Sequence, residues 1–137
     1  MWSSRHHEES SATPAEVWDL LAAVHAGERT VEGHEAYRAE GPLGVGSVVR
    51  AVQGSFIGPE MAVIEFDPGR RYAHEFTLRR YTVQLGYTVE ALEEGGTRLV
   101  RTIGITGPYA DLATAGLGRE LAAVYSPQVK ALLAALG

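Results

Sequence analysis

The stretch YAHEFTLRRYTVQLGYTVEALEEGGTRLVRTIGIT, residues 72–106, alternates with a period of two. Tyr72, His74, Phe76 and Leu78 fall on one face of an extended chain, with Ala73, Glu75 and Thr77 on the other. Tyr81, Val83, Leu85, Tyr87, Val89 and Ala91 make a second apolar face, opposite Thr82, Gln84, Thr88 and Glu90. Beyond EEGG, Leu99, Ile103 and Ile105 make a third. Successive side chains of a strand point to opposite sides, so the pattern predicts three strands, each with one buried face. The links between them are too short for crossover helices, which makes the arrangement an antiparallel meander with one face able to stay wet.

Working outward, SVVRAVQGSF and EMAVIEF read as two shorter strands joined by a turn at Ile57 to Pro59, and HEAYRAE, residues 34–40, as a further one. SATPAEVWDLLAAVHAG is a helix: Thr13 suits the N-cap, Pro14 the first helical position, and Glu16 completes a capping box. Val17, Leu20, Leu21 and Val24 form its apolar stripe, and Gly27 is placed to end it. The C-terminal stretch is helical from about Leu117, with Leu117, Leu121 and Val124 continuing into Leu132, Leu133 and Leu136. Pro127 lacks an N–H and its ring crowds the preceding turn, so a kink or break is expected there, or a second helix capped by Ser126. One sheet that must bury its apolar face against one long amphipathic helix is an α+β layer architecture.

The bulk numbers narrow the function. A chain of 137 residues, 45% hydrophobic and 21% charged, is expected to form one domain, 1–137, with a substantial core. A net charge of −5 argues against nucleic acid or an anionic membrane surface, both of which need a basic face. With no cysteine there are no disulfides, thiolate chemistry or cysteine-ligated metals. The N-terminus lacks a signal-peptide apolar run, and no stretch approaches the ~20 apolar residues of a membrane span, so a cytoplasmic protein without membrane insertion is expected.

The order of elements, with TPAEVWDLLA (13–22), PLGVGS (42–47), VIEFDPGRRYAHEF (63–76) and GGTRLV (95–100) ahead of the terminal helix, resembles the START/polyketide-cyclase (SRPBCC, helix-grip) superfamily. The resemblance covers nearly the whole chain. It implies a curved antiparallel sheet of about seven strands gripping the long C-terminal helix, with a cavity of several hundred Å³ between them. It also assigns WSSRHHEES, residues 2–10, to a first strand lying beside the last. The tryptophan-containing segment common in the family after the first helix is replaced here by HAGERTVEGHEAYRAEG, so the cavity entrance is built differently.

Polar residues within apolar faces are the informative ones. His74 lies between Tyr72 and Phe76, and Arg101 between Leu99 and Ile103. Burying either without compensation costs at least a few kcal/mol, and far more for a charge. His74 is either a core histidine bonded to backbone or a general acid/base, for which imidazole is suited near neutral pH. Arg101 is expected to pair with a first-strand glutamate, Glu8 ahead of Glu9, in preference to contacting a ligand directly. His6 and Glu8 share a strand side, but two groups fall short of the three or four ligands of a closed metal site, so no metal and no cofactor is expected. PLGVGS lacks the lysine of a phosphate loop, no GxSxG elbow is present, and Ser126 has no evident base partner.

Under the resemblance, His74, Arg101 and Glu8 are the catalytic candidates. His6, Tyr37, Tyr72, Phe76, Tyr87, Leu121 and Tyr125 are the ligand-binding candidates. The implied function is a cofactor-independent, polyketide cyclase-like enzyme. It would hold a hydrophobic, oxygen-rich intermediate folded and direct its cyclisation or dehydration. The alternative is a non-enzymatic carrier of a hydrophobic small molecule, using the same cavity without proton transfer. A monomer or a homodimer is compatible with either.

Overall fold

The structure is a computed structural model and describes residues 2–107 and 111–136. In chain order it runs β1 (Trp2–Ser10), α1 (Pro14–His25), β2 (Ala36–Glu40), β3 (Val48–Gln53), β4 (Phe56–Asp67), β5 (Arg71–Leu78), β6 (Tyr81–Ala91), β7 (Thr97–Thr106) and α2 (Asp111–Ala134). All seven strands join one curved antiparallel sheet in the order β1-β7-β6-β5-β4-β3-β2, so the first strand does lie beside the last.

Local chemistry explains the ends of α1. The Thr13 hydroxyl accepts from the Glu16 N–H at 3.2 Å, and the Glu16 carboxylate accepts from the Thr13 N–H at 3.2 Å. Val17, Leu20, Leu21 and Val24 are all buried, each worth about 1.5–3 kcal/mol of transfer free energy. Gly27 ends the helix at φ +79°, and a Cβ there would stand 2.7 Å from the Tyr37 carbonyl oxygen. Only glycine allows both that backbone conformation and so close an approach of β2.

Two expectations are corrected. The β3–β4 turn is at Gly54 and Ser55, not Ile57 to Pro59: Gln53 pairs with Phe56, and Gly54 takes φ +60°. A two-residue hairpin loop needs positive φ, which glycine supplies, while Pro59 is accommodated within β4 beside the register shift between Arg50 and Val52. The C-terminal helix is also one element from Asp111 to Ala134, with Pro127 inside it. Val129, Leu132 and Leu133, beyond the proline, are buried, so continuing the helix secures burial that outweighs the lost hydrogen bond.

The buried face of the sheet packs on two apolar clusters. One joins α1, the inner side of β2 to β7, and Val129, Leu132 and Leu133 of α2. The other joins Tyr81, Val83, Leu85, Ile103 and Ile105 to Leu117. Phe76 touches both. The polar residues flagged on β5 and β7 sit on this same inner side.

Candidate functional site

Rings of several elements converge inside the sheet. His25 of α1 stacks on Tyr37 of β2 (centroids 4.8 Å apart) and lies 4.2 Å from the Tyr72 ring of β5. His34, His74 and Tyr87 surround it at 5.9, 5.9 and 5.7 Å. The alternation of β5 and β6 brings Tyr72, His74 and Tyr87 to the inner face, and the 3.6-residue period of α1 brings His25 there one turn after Leu21.

Hydrogen bonds fix two tautomers. His25 Nδ1 lies 2.8 Å from the Leu21 carbonyl, so it carries the proton and leaves Nε2 as an acceptor. His34 Nδ1 likewise donates to the Glu35 carbonyl at 2.9 Å, so its Nε2 accepts the Tyr87 O–H at 2.8 Å. His74 Nδ1 is 2.9 Å from the Tyr72 hydroxyl. His25 Nε2 and His74 Nε2 are buried without a partner among the described residues.

Arg101 is the sharper anomaly. It is 1% exposed, and its Nε, Nη1 and Nη2 have no hydrogen-bond partner among the described residues. Its guanidinium carbon packs 4.4 Å from the Tyr87 ring centroid and 4.9 Å from that of Tyr125 on α2. Burial works against the cation, and the phenolic oxygens of Tyr87, Tyr37 and Tyr125 favour it. The Tyr87 hydroxyl is near enough to favour the charge, but its contact falls short of hydrogen-bond geometry.

The expected Glu8–Arg101 pair is not formed. Register sets His6 opposite Arg101 and Glu8 opposite Leu99, and the Glu8 carboxylate bonds His6 Nε2 at 2.9 Å in a half-exposed pair. Arg101 instead leans toward Tyr87, its partner across β6. A desolvated cation–π contact is worth up to about 2 kcal/mol, against about 0–1 for an exposed ion pair. Glu9 bonds Arg98 on the outer side.

The interior keeps its imidazoles neutral. Burial, then the Arg101 charge and His34, holds His74 down to about 3. Burial and Arg101, against the Glu35 carbonyl bond, hold His34 at about 4. Burial and then His74 push His25 well below the usual range. Burial raises Tyr37 and Tyr72, and takes Tyr125 to about 12. Glu35 is the carboxylate that feels Arg101: burial raises its pKa and Arg101 lowers it. Its carboxylate accepts from the Tyr37 hydroxyl at 3.4 Å, and its N–H donates to Gln128 Oε1 at 3.4 Å.

A groove of about 580 Å³ opens onto this cluster between α2 and the β2–β3 edge. His34, Glu35, Ala51, Phe56, Val124, Tyr125 and Gln128 line it. Phe56 and Val124, at 67% and 58% exposure, put an apolar rim around a polar floor. Of the ligand-binding candidates, Tyr125 lines this groove. Tyr37, Tyr72 and Tyr87 join the buried ring cluster behind it, and Phe76 and Leu121 pack into the apolar core. His6 is held by Glu8 on β1. Four residues escaped the sequence reading as parts of this site. His25 had a legible signal, continuing the Val17 and Leu21 stripe at four-residue steps. His34 and Glu35 fall in the segment where the family pattern departs, and Gln128 gave no signal.

These features define a class: a helix-grip fold, with a polar cluster between sheet and terminal helix and a groove leading to it. Solved structures share the architecture. The Zhui aromatase/cyclase from Streptomyces sp. R1128 is similar with a TM-score of 0.68 at 20% identity, over 97% of this chain and 92% of that one. DynU16, a protein of the dynemicin biosynthetic locus, is similar at 0.64 and 19%, over 93% of this chain and 46% of that one. Ara h 8.0201 is similar at 0.61 and 12%, over 97% and 98%. No protein-family model matches the chain, and neither does any curated protein sequence. Identities this low establish the fold and leave the chemistry to the site.

Proposed function

We propose that the protein binds a hydrophobic, oxygen-rich biosynthetic intermediate in the groove beside α2 and directs its cyclisation or dehydration, without a cofactor. The observation that carries this reading is the set of five polar atoms, on His25, His74 and Arg101, buried behind the groove without a partner among the described residues. Each unmade hydrogen bond costs about 1–3 kcal/mol, which a folded protein retains where a polar guest completes the set. The likeness to an aromatase/cyclase supports the reaction class. The setting is a cytoplasmic monomer or homodimer.

In this reading His74 donates its Nδ1–H to the Tyr72 hydroxyl, leaving the Nε2 lone pair as base. It takes a proton from a carbon between two carbonyls, and Arg101 holds the resulting enolate oxygen. The enolate carbon then attacks a second carbonyl of the same chain. The imidazolium returns its proton to the new alkoxide; loss of water is a second cycle, in which His74 removes a further α-proton and its imidazolium protonates the departing hydroxyl as the double bond forms. Neutral His74 is a weak base in isolation, and negative charge developing beside Arg101 strengthens it.

The test is His74→Phe, assayed with a poly-β-keto thioester mimic and, for affinity, with 1,8-dihydroxyanthraquinone as a product mimic. Turnover should fall about 10²–10⁴-fold with affinity kept within a few-fold. NMR shifts from the quinone should map to His34, Glu35, Tyr125 and Gln128. Full turnover in the variant removes His74 from the mechanism, and binding without turnover in the parent identifies a carrier.

A further inference from the structure

Arg101 is a cation without a contacting anion among the described residues. Glu8 is committed to His6, and Glu35 acts on Arg101 through space with no hydrogen bond to it. The lowered pKa values of His25, His34 and His74 each include Arg101 among their causes, as expected of a charge whose field no neighbour cancels. Two rings packed against the guanidinium carbon favour the charge but accept none of its in-plane N–H donors.

From this geometry we infer that the ligand of the groove carries an acidic head group, a carboxylate or an ionised enol or phenol, that docks edge-on against Arg101. The inference deepens the function proposed above and rests on the groove being the ligand site. A neutral carbonyl would take one N–H and leave the charge standing. A carboxylate takes two parallel N–H bonds from the planar fork and cancels the charge as well. Access fits this docking. Tyr125 is half-buried, lines the groove and packs on Arg101, so its ring stands between the groove and the cation. An acidic head displaces that ring, while the apolar body stays against Phe56 and Val124 at the rim.

Two probes of one shape separate the outcomes: 2-naphthoate, anionic at neutral pH, and 2-naphthamide, neutral. Titrated calorimetrically against the parent protein, naphthoate should bind at least about tenfold tighter, the discrimination expected of a charge-assisted pair. In Arg101→Met the preference should vanish, naphthoate losing more affinity than naphthamide. Arg101→Lys, which keeps the charge and loses the fork, should fall between, and it carries the test if the methionine variant does not fold. Equal affinities in the parent overturn the inference and leave the groove as the ligand site. A preference that survives Arg101→Met also overturns it. Binding of neither probe at millimolar concentration overturns the inference and the groove reading together.

Discussion

Replacing Arg101 by methionine should make the ligand-free protein more stable. The arginine is 1% exposed, with all three guanidinium nitrogens unpartnered among the described residues. Burying such a cation costs several kcal/mol after relaxation. Against this stand two ring contacts, at 4.4 and 4.9 Å, each worth up to about 2 kcal/mol when desolvated. Methionine is unbranched and polarisable, so it fills much of the same space and keeps favourable contact with both rings. The balance is a gain of about 1–3 kcal/mol, in line with replacements of buried ions by apolar residues. In a chain of 137 residues that corresponds to a rise in Tm of about 3–10 °C. Urea unfolding of parent and variant, with m unchanged, measures it directly. A loss of about 3–5 kcal/mol would refute the reasoning, because that is the signature of breaking a satisfied buried pair.

Three further outcomes follow from the same structure. Glu8→Gln should change stability by less than about 1 kcal/mol, since the His6–Glu8 contact is half-exposed; a larger loss in urea would mean that Glu8 supports Arg101 after all. The folded-state pKa values of His34 (about 4) and His74 (about 3) lie below the unfolded value near 6.5, so the unfolded chain binds more protons in that interval. Stability is therefore full above pH 6.5 and falls as pH drops toward 4, by about 1.4 kcal/mol per pH unit for each histidine, and the slope should be shallower in His74→Phe. Gly118→Ala would place a Cβ 2.5 Å from the Trp2 indole, so it should cost about 1–3 kcal/mol and loosen β1 from α2, read as lost amide protection along β1.

Much of the fold was legible because its determinants are local. The period-two faces of residues 72–106 became β5, β6 and β7, and the Thr13–Glu16 box became the start of α1. The hairpin between β3 and β4 misled because Gly58–Pro59 carries a stronger turn signature than Gly54–Ser55. The structure absorbs that signature in a bulge, a property of the strand pair that neither strand shows alone. Pro127 misled similarly: the burial of Val129 and Leu132 that carries the helix through it is tertiary. Of the site, the polar intrusions His74 and Arg101 were visible as breaks in a pattern. Their surroundings were not, since the choice between Glu8 and two aromatic rings depends on side-chain direction across three elements.

Pro127 has a consequence for how α2 moves. Lacking an N–H, it cannot close the turn onto the carbonyl of Ala123, an exposed residue. The turn so weakened is the one that carries Val124 and Tyr125 along the groove. C-terminal to it, Val129 and Leu132 anchor the helix with no exposed surface. Restraint along α2 is thus uneven, and its slack turn coincides with the ring that covers Arg101. Amide exchange should register this as earlier opening around Tyr125 than around Leu132.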